Sequence, residues 1–147
     1  MGINKSNEYA EFYERLEKEL RVNLPENILS REPSFKIRLN RLQMYLEGIK
    51  GSHYEMCFRR EYHEFALHFE STPERSLERR EAFDPYLDEL SLRLNYYVKA
   101  GRHENRGWMR VWVQLPPTEP ILPLYDKYRD LFQSFIIETY PILEMIY

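Results

Sequence analysis

Large apolar residues recur along this chain at two periods, and the period changes where turn residues fall. Tyr9, Phe12, Leu16 and Leu20 are spaced by three and four within residues 7–21. That spacing predicts a helix with one apolar stripe, capped by Ser6 or Asn7. Its other side carries Glu11–Arg15, Glu14–Lys18 and Glu17–Arg21 at i,i+4, which reads as a solvated helix surface. Residues 23–33 read as a connector, because Pro25 and Pro33 each disfavour a helical state in the residue before them.

Residues 35–49 fit both periods. Phe35, Leu39, Leu42, Leu46 and Ile49 match a helix, whereas Leu42, Met44 and Leu46 match a strand. The segment that follows favours a strand over about 42–48, since two strands alone are barely stable. There, residues 53–59 and 62–70 alternate strictly and predict a β-hairpin turned at Arg60-Glu61. One face would carry Tyr54, Met56 and Phe58 against Phe65, Leu67 and Phe69. The other would carry His53, Glu55, Cys57 and Arg59 against Glu64, Ala66, His68 and Glu70.

Ser71-Thr72-Pro73-Glu74 predicts a helix start, with a break at Asp84-Pro85 and a short second helix through Leu87 and Leu90. A second hairpin follows. Leu94, Tyr96, Val98 and Ala100 alternate with Asn95, Tyr97 and Lys99, and Met109, Val111, Val113 and Leu115 alternate with Trp108, Arg110, Trp112 and Gln114. Between them lies a loop, 101–107, with glycine at both ends. Prolines 116, 117, 120 and 123 break the chain before a last helix from about Leu124 to Tyr140, which Pro141 would end or bend. The apolar run Ile142-Leu143-Glu144-Met145-Ile146-Tyr147 must then fold back onto the chain or meet a second copy.

The order helix, strands, helix, strands, helix predicts a single α+β domain over 1–147. A mostly antiparallel sheet of two hairpins, about four or five strands, would pack against three or four helices. The 147 residues, with 12 Tyr, 8 Phe and 2 Trp, suffice for a sizeable core and exclude a disordered chain. A single cysteine excludes a disulfide framework and a thiolate-rich zinc site. No apolar run reaches the ~18–20 residues of a membrane helix, and Met1-Gly2-Ile3-Asn4-Lys5 opens no signal-peptide core, so the expected setting is cytoplasmic with no membrane partner. The net charge of −3 argues against a wholly basic nucleic-acid binder.

Catalytic motifs are incomplete, and no catalytic residue and no cofactor are expected. Glycines 48, 51, 101 and 107 lack phosphate-loop spacing, and Cys57 sits mid-strand, where a small apolar filler is the ordinary role. A carboxylate nuclease would want an acid-x-Lys on the second strand, but Glu64 is followed two residues later by Ala66. Two surfaces remain. The turn at 60–61 sets His53 opposite His68 and Glu55 opposite Ala66, with Glu70 one step beyond, so His53, Glu55, His68 and Glu70 could bind zinc or another divalent ion. Their bland reading is the wet side of a half-exposed hairpin.

The second surface is aromatic and basic. Tyr97 and Lys99 share a parity with Trp108, Arg110 and Trp112, and the loop adds Arg102, His103 and Arg106 at the edge. Rings interleaved with cations suit base stacking with phosphate contact, but the favoured, blander reading is that the rings pack under a helix or a subunit while Arg and Lys lay their stems over them. Arg110 and Trp112 are expected to be partly accessible or in an interface. The leading reading is a small non-catalytic interaction module that self-associates or binds a protein. The alternatives are a nucleic-acid-binding or -processing domain of restriction or defence type, and a metal-dependent hydrolase at the His53/His68 hairpin.

Overall fold

The computed structural model describes residues 5–103 and 106–147. Helix α1 (Lys5–Asn23) is followed by a one-turn helix α2 (Glu26–Leu29), within the segment read as a connector. Four strands come next: β1 (Ser34–Arg38), β2 (Arg41–Tyr45), β3 (Ser52–Phe58) and β4 (His63–Phe69). Helix α3 (Pro73–Glu81), a 3-10 turn at Asp84–Tyr86 and helix α4 (Leu87–Leu94) lead to β5 (Val98–His103) and β6 (Trp108–Leu115). Helix α5 (Tyr125–Met145) is the last element. Among the described residues the fold is α+β, with one antiparallel sheet of six strands in the order β1-β2-β3-β4-β6-β5.

Six strands replace the expected four or five, because residues 34–45 form a hairpin of their own. Phe35 pairs with Met44 and Ile37 with Leu42 across a turn in which Leu39 takes a positive φ of 46°. Leu39 is 80% exposed, so it belongs to neither apolar period. The second hairpin also starts later than its alternation suggests. Leu94 is the buried end of α4, and Asn95 closes that helix in the left-handed conformation, which a short polar side chain tolerates. The loop expected over 101–107 is shorter, since β5 continues to His103 opposite Trp108.

The helices build the core on one face of the sheet. Phe58 meets Phe12 and Tyr13 of α1 at ring distances of 5.2 and 4.9 Å, and Phe65 meets Tyr128 and Phe132 of α5 at 5.1 and 5.9 Å. Met56, Leu67, Phe69, Val111 and Val113 complete that layer, all of them buried as their parity requires. The Thr72 hydroxyl caps α3 by accepting from the Arg75 amide, so the cap is one residue later than Ser71.

Helix α5 runs through Pro141 instead of stopping there. Ile142 and Leu143 are buried, and burying them outweighs the hydrogen bond lost at a proline near the helix end. The apolar C-terminal run is therefore mostly absorbed by its own chain. No described helix is long and apolar enough to cross a membrane.

Candidate functional site

The opposite face of the sheet carries the polar parity. Pairing aligns Gln43, Glu55, Ala66, Trp112 and Lys99 in one row across five strands. The adjacent row runs from His53 through His68 and Arg110 to Gly101. This is the register that the turn at 60–61 predicted for His53 and His68. The expected wet surface, however, is absent: His53, Glu55, Glu64 and His68 are 3%, 1%, 0% and 1% exposed. Long side chains roof them over. The Arg110 guanidinium lies 3.8 Å from the Trp112 ring centre, and Tyr45 packs on His53 at 5.0 Å. Small residues make room, with Ala66 and Gly101 flanking Trp112 and Arg110 on the neighbouring strands.

Beneath this roof is a chain of charged groups. Glu64 accepts from His68 Nε2 at 2.9 Å, from Arg59 Nε at 3.2 Å and from Arg110 Nη1. Arg110 also donates to the Tyr62 hydroxyl at 3.0 Å. Glu55 accepts from Gln43 at 2.8 Å and lies 3.2 Å from His53 Nε2. Burial pushes both carboxyls up, but in each case donors and nearby cations outweigh it. Hydrogen bonds from His53 and Gln43 with the charge of His68 hold Glu55 down at about 2. The His68 hydrogen bond with the charges of His68, Arg110 and Arg59 does the same for Glu64. Both glutamates are therefore anionic acceptors, which favours a proton on Nε2 of each histidine, while the Gln43 amide nitrogen also stands 3.4 Å from Nε2 of His53.

The remaining ring nitrogens both lie near the Glu70 carboxylate. His68 Nδ1 is buried without a hydrogen-bond partner, 3.7 Å from Glu55 Oε1 and 3.7 Å from Glu70 Oε2. His53 Nδ1 lies 3.9 Å from Glu70 Oε1. Ligand atoms of His53, His68 and Glu70 all fall within 4.8 Å of one another, and so do those of Glu55, Glu64 and His68. All four residues expected as metal ligands are thus brought together. Glu64 joins them, and its parity with Ala66 and His68 was the signal that could have placed it there.

The aromatic–basic set is only partly assembled. Lys99, His103, Trp108, Arg110 and Trp112 share this face, with Lys99 Nζ 6.0 Å from the Trp112 ring and the Arg106 guanidinium 5.1 Å from Trp108. Trp108, Arg110 and Trp112 are half-buried. Tyr97, 72% exposed, lies just before β5. Arg102 pairs with Met109 and so turns to the other face. His103 is buried and stacks on His68 at 4.1 Å; burial and the His68 charge lower its ring to about 4. Cys57 sits beside Asn40, and burial with the nearby Glu55 charge pushes its thiol up to about 12, so it stays a neutral thiol at neutral pH.

No known protein family matches the chain, and no curated protein matches it. Among solved structures, it is similar to the crystal structure of YbjN from E. coli, described as a candidate transcription regulator. That likeness has 15% identity and a TM-score of 0.41, covering 91% of this chain and 87% of YbjN.

Proposed function

We propose that this chain is a small non-catalytic protein-interaction module whose contact surface is the β5–β6 end of the helix-free sheet face. One observation carries the reading. Trp112 lies half-open between the Arg110 guanidinium and Lys99, on a face that helices α1 and α5 leave alone. Tryptophan and arginine held rigid beside each other are the side chains that dominate protein contacts, because they bury much area at little entropic cost. Exposed Tyr97 and Leu92, 72% and 82% accessible, continue the surface around the outer end of β5.

The charge arrangement weighs against nucleic acid. Of the four cations between 99 and 110, Lys99, Arg102, Arg106 and Arg110, Arg110 is paired with buried Glu64 and Arg102 faces the other way. Two cations beside two indoles leave too little charge for phosphate-driven affinity in a chain of net charge −3.

A second copy of the chain is the partner to test. Light scattering over a range of concentrations should show the molar mass rising towards a dimer, and Trp112→Ala with Tyr97→Ser should return it to the monomer. A constant monomer mass removes self-association. Salt-sensitive retention on single-stranded nucleic acid would move the face to the other reading.

A further inference from the structure

We propose that His53 Nδ1, His68 Nδ1 and the Glu70 carboxylate bind one divalent transition-metal ion of the zinc class, with water completing its coordination. Both imidazoles are already oriented for it. Each turns Nε2 onto a buried glutamate, His53 onto Glu55 at 3.2 Å and His68 onto Glu64 at 2.9 Å. A carboxylate behind each ring fixes the tautomer that leaves the Nδ1 lone pair free, and it raises the basicity of that nitrogen.

The gap fits an ion better than it fits the groups that border it. Nδ1 of His68 is buried with no hydrogen-bond partner, and the atoms 3.7 Å away are carboxylate oxygens of Glu55 and Glu70. With Nδ1 deprotonated, as metal binding requires, its lone pair and these oxygens face one gap and repel each other unless a cation lies there. A cation held by His53, His68 and Glu70 satisfies that nitrogen and the Glu70 carboxylate together. Zinc bonds of roughly 2.1 Å in a tetrahedron set neighbouring ligand atoms about 3.4 Å apart. The Nδ1–carboxylate separations of 3.7 and 3.9 Å need close by only a few tenths of an ångström, and all three ligand atoms already lie within 4.8 Å of one another.

Ligand chemistry and access agree. Two imidazoles with one carboxylate suit zinc-like ions, whereas calcium and magnesium call for an all-oxygen shell. The His53 and His68 side chains are 2% and 1% exposed, but the Glu70 side chain is 26% exposed and opens the route from solvent. The set lies at the β3–β4 end of the face and shares no ligand with the Trp112 surface.

The full chain, stripped with a chelator and dialysed, is titrated with zinc by calorimetry and with cobalt(II) followed by visible absorption. One ion per chain is expected, with the strong visible bands of low-coordinate cobalt. Glu70→Gln should weaken zinc binding at least about tenfold while its melt in chelator matches wild type. His68→Gln should abolish binding, and if it also disturbs the fold, Glu70→Gln still decides. Lack of stoichiometric binding would make the cluster a purely structural His–Glu ladder and overturn the proposal. Equal affinity in wild type and Glu70→Gln would overturn it as well.

Discussion

The hydroxyl of Tyr13 donates to the backbone carbonyl of Asn40 at 2.7 Å, tying the first helix to the turn between β1 and β2. The same Asn40 passes the link on, since its side-chain amide donates to the carbonyl of Phe58 at 3.0 Å. Helix, turn and the end of β3 are thus locked through two residues. Tyr13→Phe keeps the ring stacked on Phe58 and removes only the hydroxyl. It should cost ~1–2 kcal/mol in urea unfolding. Combined with Asn40→Ala, the loss should be less than additive, and strict additivity in a double-mutant cycle would show that the two residues act separately.

Glycines 101 and 107 make opposite demands. A Cβ on Gly107 would stand 2.8 Å from Cγ of Pro73, and its φ is +75°, so Gly107→Ala should lower stability by ~1–3 kcal/mol. On Gly101 the nearest atom is the Trp112 ring at 3.8 Å, an ordinary contact. Gly101→Ala should leave stability unchanged or raise it by ~0.4–1 kcal/mol. Thermal melts that rank the two variants equally would contradict this account of the hairpin.

The sheet core sets the largest expected loss. Leu67 is fully buried between Tyr54 and Val111, its partners on β3 and β6. Leu67→Ala should cost ~2–5 kcal/mol through lost contacts and the cavity left behind. Leu92→Ala, at a position 82% exposed, should stay within ~0.5 kcal/mol. Denaturation midpoints that move equally for both would refute the assigned faces.

Acid should destabilise the fold through His63. Its Nδ1 is 2.7 Å from the Tyr128 hydroxyl, and burial lowers its ring from the ordinary 6.5, against the pull of the Glu119 carboxylate. As pH falls through 6.5 the unfolded chain takes up this proton before the folded one, so stability declines until the folded ring also titrates. His63→Gln should lessen that decline between about pH 7 and about pH 5 in urea titrations run in chelator, the remainder belonging to His103, whose ring is lowered to about 4. An unchanged slope in the variant would assign the acid sensitivity to other groups.

Alternation alone sufficed for the β3–β4 register, because every residue from 53 to 58 and from 63 to 69 obeys it. The β1–β2 hairpin was hidden by its turn. Leu39 holds a left-handed conformation usually given to Gly or Asn, and as an apolar residue it was counted in a helical stripe. Asn95 had a similar effect, since Leu94 before it continued the strand alternation while belonging to α4. The candidate metal ligands were legible as a set, but their burial was not. Parity tells which face a side chain takes, whereas the roof over His68 depends on where Arg110 and Trp112 lie in three dimensions.

The order β4-β6-β5 also dictates how the chain must fold. Strands β1 to β4 pair through short turns, but β6 joins the sheet against β4, bringing residues 109–115 beside 63–69 after α3 and α4 have been made. Closing that long loop takes chain entropy that no local contact returns until the ladder zips. Docking of β6 onto β4 is therefore expected to limit the folding rate. Substitutions such as Val111→Ala should slow refolding, whereas Ile37→Val in the outer hairpin should mainly speed unfolding. Chevron plots of the two variants measure this directly, and a folding arm slowed by Ile37→Val alone would place the rate-limiting step in the first hairpin.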